Sequence, residues 1–304
     1  MDPDKDLIIK EEEPDSPPTT KDAQPSGVEA PAVTEPTRLG RTFRSGESMS
    51  QHNPIEIKEV AKKLGAVDHF SLICIGMRRT GKTYIVDAIL AAMAKQGQHF
   101  DIVYLFSETA WKLSQWQMIP KALRYEGFQA DILKEVLAAQ RRALEHNEET
   151  EEIDHVRVPR CLVVLDDVNA DRGIKWGHSS DELQRLYVQG RHSAISVITL
   201  LQHPKAVPPS VRSNADCILQ FRSTSALHRK SVVEDYCTTM PGRDAFKDAE
   251  QFYEDQFESK HSCLCLMLCE SAGCKHPREY CYSCTADKRP PKPYRLGDSR
   301  FWDD

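Results

Sequence analysis

From Ser71 to Tyr84 the chain reads SLICIGMRRTGKTY, an apolar run that stops at Gly76 and passes at once into the pattern G-x-x-x-x-G-K-T. That spacing suits one chemistry, the binding of a nucleotide's phosphates. Gly76 and Gly81 let the backbone curl with its N–H groups pointing inward, and a helix starting near Lys82 adds the positive end of its dipole. Lys82 then reaches the β- and γ-phosphates, while the Thr83 hydroxyl is suited to ligate Mg²⁺. The expected nucleotide-binding set is Gly76, Met77, Arg78, Arg79, Thr80, Gly81, Lys82, Thr83 and Tyr84.

A second group lies further on. CLVVLDDV (161 to 168) is a short continuous apolar run ending in two carboxylates, the pattern of a buried parallel strand that delivers acid side chains to a sheet edge. In this Walker B pattern Asp166 would hold Mg²⁺, mostly through water, and Asp167 would orient or deprotonate the attacking water. A further apolar run, AISVITLLQ (194 to 202), ends abruptly at Gln202, where a polar side chain can sense the γ-phosphate and help to hold that water. The three groups together predict an ATPase acting on the β–γ phosphoanhydride of ATP, with Mg²⁺.

The elements that must position these residues are legible around them. A β-rich run (Phe70, Leu72, Ile73, Ile75) precedes the loop and a helical run (Ile85, Ile89, Leu90, Met93) follows it. A short helix over about 55 to 64 is expected at the sheet edge, FDIVYLFS (100 to 107) alternates as a second strand, and DELQRLYVQGRHS reads as a helix before the strand that ends in Gln202. NADCILQF (214 to 221) reads as the fifth core strand and HSCLCLMLC (261 to 269) as another. Residues 111 to 158 lack strand character and hold the helical pattern of Ile132, Leu133, Val136, Leu137 and Leu144, which reads either as a partner- or DNA-facing insertion or, the favoured reading, as a peripheral helix running into an acidic solvated loop. The prediction is a three-layer α/β domain with a largely parallel sheet, helices on both faces and nucleotide at the C-terminal strand ends.

Composition sets the boundaries. Residues 1 to 54 are rich in Pro, Ser, Thr and acidic groups and nearly empty of aromatics, so they are read as a disordered tail, with the ATPase domain over 55 to 288 and a C-terminal tail over 289 to 304. Within the first tail, Ile9-Lys10-Glu11-Glu12 resembles an acceptor for a small ubiquitin-like modifier and Ser16-Pro17 a proline-directed phosphorylation site. Of the net charge of -6, the first 54 residues carry six Lys/Arg against eleven Asp/Glu, or -5, which leaves the rest near neutral. No apolar run reaches the roughly 18 to 20 residues that span a bilayer, and the N-terminus has no signal-peptide pattern, so neither a membrane span nor export is expected. Ten cysteines include Cys74 and Cys161 within apparent core strands, which points to free thiols in a reducing compartment. Near the C-terminus His261, Cys263, Cys265, Cys269, Cys274, His276, Cys281 and Cys284 crowd together. Cys269, Cys274, Cys281 and Cys284 could make a structural Zn²⁺ site, although the spacing of Cys263 and Cys265 favours buried thiols. The closing RPPKPYRLGDSRFWDD reads either as disordered or as a docking segment for a neighbouring subunit or capsid component.

Four blocks, IGMRRTGKT, LVVLDD, GRHSAISVITLLQ and PPSVRSNAD, resemble the FtsK/HerA-type ATPases in their order and spacing over roughly residues 70 to 222. Within that group they resemble the genome-packaging ATPases of poxviruses, other large double-stranded DNA viruses and Polinton-like elements. The resemblance implies a RecA/ASCE-like P-loop NTPase that translocates double-stranded DNA into viral capsids during virion assembly. It also implies a homo-oligomeric ring, capsid or other virion-assembly proteins as partners, and a place in the nucleus or at a cytoplasmic assembly site of the host cell, or in the virion. It puts Arg191 first and Arg212 second as the arginine finger acting on a neighbour's nucleotide. Asp167 departs from the pattern, because cellular members usually carry Glu there. Two other readings share the phosphate loop: a nucleotide-gated scaffold with little turnover, and a small-molecule kinase, which would have no need of Asp167 or Gln202.

Overall fold

A computed structural model describes residues 52–109, 116–168, 181–237, 245–259, 261–274, 277–285 and 292–302. The acidic segment up to residue 51, with its modifier-like and phosphorylation-like patterns, lies outside the described residues, as does His276. The chain opens with β1 (Pro54–Ile55), α1 (Ile57–Gly65) and β2 (Ser71–Ile75), then α2 (Lys82–Lys95) and β3 (Ile102–Ser107). β4 (Arg124–Glu126), α3 (Ala130–Glu149) and β5 (Cys161–Asp166) follow, then α4 (Asp181–Gln189), β6 (Ile195–Leu201), α5 (Pro209–Ser213) and β7 (Cys217–Phe221). α6 (Ala226–Tyr236), α7 (Ala245–Asp255), β8 (Ser262–Met267) and β9 (Cys281–Thr285) complete the series.

The strands form one sheet in the order β1-β9-β8-β7-β2-β6-β5-β3-β4, in which β8 alone runs against its neighbours. This is the expected α/β architecture with a largely parallel sheet. The central strands β2, β5, β6 and β7 are buried along their whole length, as near-continuous apolar sequence in a doubly covered sheet requires. Alternate residues feed two cores. Leu72 and Cys74 pack with Val60 and Leu64 of α1 and with Ile85 and Ile89 of α2 on one face. Ile73 and Ile75 pack on the other with Leu133 and Val136 of α3, Leu186 of α4, Val232 of α6 and Phe252 of α7. α1 thus lies against α2 on a sheet face rather than at the edge.

Three differences from the sequence reading have physical causes. The region expected to lack strand character contributes β4, which pairs in parallel with β3 and extends the sheet. Its three residues, Arg124, Tyr125 and Glu126, are too few and too polar to show a period, and Tyr125 is fixed by stacking on Phe106 at 5.3 Å between ring centroids. For the cysteine cluster the lesser reading, zinc, is not met among the described residues, where no three His, Cys, Asp or Glu side chains gather as metal ligands, while the favoured reading of buried thiols fits Cys263, Cys265, Cys281 and Cys284. Cys281 and Cys284 are three positions apart on a strand, which sends them to opposite faces: Cys284 joins the core of Cys263 and Cys265, and Cys281 joins the other. All ten cysteines are free. The third difference is the end of the chain, where residues 292–302 run back along the domain. The Tyr294 hydroxyl donates to the Asp87 carboxylate of α2 at 2.7 Å, Leu296 N–H to the Met118 carbonyl at 2.8 Å, and Asp298 N–H to the Asp101 carbonyl at 2.8 Å.

Candidate nucleotide site

The phosphate-loop residues sit where the strand–loop–helix pattern places them, between β2 and α2. Gly76 continues β2, its N–H donating to the Leu201 carbonyl at 2.9 Å. A Cβ on Gly76 would lie 2.7 Å from Thr80 Oγ1 and 2.9 Å from Phe221 Cβ, so any larger residue would push the loop off the sheet. Thr80 Oγ1 closes the curl by donating to the Met77 carbonyl at 2.8 Å. Arg79 (φ 64°) and Gly81 (φ 108°) both take left-handed backbone conformations, which the sharp entry into α2 needs. Lys82 is 7% exposed, and its ammonium donates to the Gly76 carbonyl at 2.7 Å, inside the curl. Met77, Arg78 and Arg79 are exposed on the rim; Thr80, Gly81, Thr83 and Tyr84 are half-buried.

The carboxylates arrive on the neighbouring strands. β6 lies between β2 and β5, with Ile75 opposite Leu201 and Asp166 opposite Leu200, so Gly76, Asp166, Asp167 and Gln202 all emerge at one sheet edge. Asp166 is 7% exposed, and Trp116 Nε1 donates to its Oδ2 at 2.9 Å. Burial pushes the Asp166 carboxyl above the ordinary aspartate value; the Trp116 N–H opposes the shift, the Asp167 charge adds to it, and the Lys82 ammonium opposes it. Asp167 turns away with φ 54°, a conformation that Asp tolerates better than most residues, and its N–H donates to the Leu200 carbonyl at 3.1 Å. Gln202 Nε2 donates to Asp167 Oδ2 at 3.2 Å. The second carboxylate and the strand-end glutamine expected from sequence are thus joined directly.

Thr83 and Asp166 are hard oxygen donors beside a lysine, a set suited to a small divalent cation that keeps most of its water and takes the rest of its ligands from phosphate. The buried carboxylate carries its charge at a cost that such a cation would offset.

The two arginines part company. Arg191 is exposed in the turn before β6, at the edge of the sheet opposite the loop. The seven residues of β6 separate it from its own chain's site by roughly 20 Å. Its charge faces Asp216, whose carboxylate accepts the Ser71 N–H at 2.7 Å; burial raises the Asp216 pKa, and the Ser71 bond and Arg191 oppose that rise. Arg212 has a side chain only 12% exposed, and it donates to the carbonyls of Pro204 at 3.3 Å and Val207 at 3.0 Å and to Asp235 at 3.3 Å. Those bonds fix the turn just after Gln202.

Two residues of the site carry no sequence signal for their place in it. Trp116 stands 50 positions from the aspartate that it holds, in a segment with no recognisable period. His261 reaches the loop because β8 is antiparallel and begins at the nucleotide edge; its Nδ1 lies 3.2 Å from the Thr80 carbonyl.

Comparison with known proteins places these features in a wider set. Residues 58–240 match the family model described as poxvirus A32 protein. The chain is 29% identical over 130 residues to the uncharacterized protein 075L of Invertebrate iridescent virus 6, covering 43% of this chain and 46% of that protein. It is 20% identical over 197 residues to the uncharacterized protein L437 of Acanthamoeba polyphaga mimivirus, covering 64% and 67%. The chain therefore spans about half the length of the first of these relatives and two thirds of the second. Among solved structures, the genome packaging NTPase B204 of Sulfolobus turreted icosahedral virus 2, in complex with ATP-gammaS, aligns with a TM-score of 0.47 at 10% identity, covering 74% of this chain and 100% of that one.

Proposed function

Since the chain belongs to the poxvirus A32 protein family, we propose that it is an ATP-driven motor that moves double-stranded DNA into viral capsids. The observation that carries this reading is the junction of Asp167 with Gln202 beside the lysine-filled loop. A protein that only holds nucleotide needs Lys82, Thr83 and Asp166; a second carboxylate tied to a polar strand end serves water activation. It favours turnover over a nucleotide-gated scaffold, and transfer to water over a kinase.

In this mechanism the loop N–H groups and Lys82 bind the β- and γ-phosphates, Thr83 and Asp166 would hold Mg²⁺, and Trp116 orients the Asp166 carboxylate through its N–H. Bound Mg²⁺ neutralises charge on the phosphate oxygens. Gln202 orients Asp167, and Asp167 takes the proton of the water that attacks the γ-phosphorus as the bond to the β–γ bridging oxygen breaks and ADP leaves. Arg191, too far from its own loop, completes the loop of the next subunit in a homo-oligomeric ring of the FtsK/HerA kind. The motor would act where virions assemble inside the host cell, with capsid proteins as partners. No helix among the described residues is long and apolar enough to cross a membrane.

The test is phosphate release from ATP with and without double-stranded DNA. Mg-dependent turnover that rises with DNA supports the motor. Nucleotide binding without turnover would leave the scaffold, transfer of phosphate to an acceptor other than water would leave a kinase, and DNA-independent turnover would remove the translocase.

A further inference from the structure

α3 and α4 lie side by side over one face of the sheet, and between them runs a groove of about 430 Å³. Lys134, Arg141 and Arg142 of α3 and Arg185 of α4 line it, with Leu137 and Ala138 between them, and no acidic residue does. The α3 members recur at helical spacing, so Lys134 and Arg141, two turns apart, stand roughly 10 Å from one another along one stripe, with Arg185 of α4 across from it. All four cations are exposed. Arg141 meets Glu145 at 3.8 Å in an open i,i+4 pair, which is weak at such exposure; Lys134, Arg142 and Arg185 have no ion pair among the described residues. A protein whose residues beyond position 54 are close to neutral, with 34 Lys/Arg against 35 Asp/Glu after removing 6 and 11 from totals of 40 and 46, gains nothing for its own stability by crowding like charges. Such crowding is the footprint of a polyanion site.

We propose that this groove binds the phosphodiester backbone of double-stranded DNA. The choice of DNA rests on the packaging reading; the site rests on the groove. Two polyanions could compete for it, the duplex and the acidic leader of the chain itself, and charge density decides between them. Over the roughly 10 Å of the stripe a duplex presents about six charges. The densest run of the leader, Glu11-Glu12-Glu13, offers three over a similar extended length. Three of the four cations are arginines, whose planar forks suit phosphate oxygens. Backbone binding carries no base information, as a motor that must pass any sequence requires.

The experiment uses the full chain and a fluorescent duplex of random sequence, with affinity measured across a salt series. A variant with Lys134→Gln, Arg141→Gln, Arg142→Gln and Arg185→Gln should melt like the wild type and bind nucleotide normally, because every changed side chain is on the surface and outside the catalytic set. Its affinity for DNA should fall on the order of tenfold or more at physiological salt, and the slope of log K against log[salt] should shrink by about 0.9 for each phosphate that the variant no longer neutralises. A charge-retaining variant (Lys134→Arg, Arg141→Lys, Arg142→Lys, Arg185→Lys) should keep the wild-type salt slope and lose only a few-fold in affinity with the arginine forks; a slope as shallow as that of the glutamine variant would overturn a charge-based site. Unchanged affinity and slope in the glutamine variant would overturn the groove and leave the motor reading standing. Failure of the wild-type chain to bind duplex at any salt would overturn that reading together with the groove. If the glutamine variant keeps DNA but no longer binds a peptide of residues 1 to 54, the groove belongs to the leader and the proposal falls.

Discussion

Replacing Trp116 with Phe separates two consequences of one hydrogen bond. The ring is fully buried and its N–H donates to Asp166 Oδ2 at 2.9 Å, with the carboxylate itself 7% exposed. A hydrogen bond to a charged acceptor contributes about 1.5 to 3 kcal/mol, against about 1 for a neutral pair, and the space left by the smaller ring costs about 1 kcal/mol more. At neutral pH the variant should therefore be destabilised by about 2.5 to 4 kcal/mol. The sign of the pH dependence follows from the charge. The donor favours ionised Asp166, so its extra stabilisation is present above the raised pKa of that group and is lost as the pH falls through it. Denaturant unfolding from about pH 8 toward pH 4 should show the deficit shrinking by about 0.5 to 2 kcal/mol. The Mg²⁺ concentration needed for half-maximal ATP turnover should rise by about tenfold or more, the usual effect of removing a partner that orients a metal ligand. A deficit equal at both ends of the pH range, with the Mg²⁺ requirement unchanged, would mean that Trp116 only fills space.

Further tests address the remaining roles. Lys82→Ala removes the ammonium inside the loop, and equilibrium binding of an ATP analogue should be nearly abolished along with turnover; unchanged binding would refute the site. Asp167→Asn keeps a side chain that tolerates the left-handed backbone and still accepts from Gln202 Nε2, so it should bind Mg-ATP normally while turnover falls by about 10² or more. Loss of binding with turnover per bound ATP preserved would exchange the roles of the two aspartates. Arg191→Ala should bind ATP but fall by about 10³ or more in turnover, and mixing it with Lys82→Ala should restore activity, because each supplies what the other lacks. Concentration-independent turnover and no rescue on mixing would place the whole site within one chain.

The parts of this site that were legible in sequence are those in which chemistry and element share a few adjacent positions. Gly76, Lys82 and Thr83 follow a strand and open a helix within eight residues, and Asp166 and Asp167 close a strand whose apolar run announces burial. The bond between Gln202 and Asp167 was only implied by each ending its own strand, and the register of β5 against β6 supplied the rest. Trp116 and His261 were invisible because their roles depend on which distant segments the sheet brings together. β4 was missed for its length, and the Cys281–Cys284 spacing kept zinc open as an alternative because metal-ligand arithmetic assumes a turn, whereas those residues occupy a strand that splits them between two cores.

The position of β2 also has a consequence for how the protein comes into being. The strand that feeds the phosphate loop lies between β6 and β7, with Ser71 opposite Val197 and Leu72 opposite Cys217. The earliest of these partners is 126 residues downstream, counting from 71 to 197. At the usual pace of synthesis a ribosome needs about 6 to 25 s to make that stretch, and closing so long a loop costs roughly 4 kcal/mol in chain entropy before any pairing returns it. Through that interval the emerging loop has neither the Leu201 carbonyl that anchors Gly76 nor the Phe221 ring that walls it. The loop therefore gains its anchor and its wall only when β6 and β7 have closed around β2.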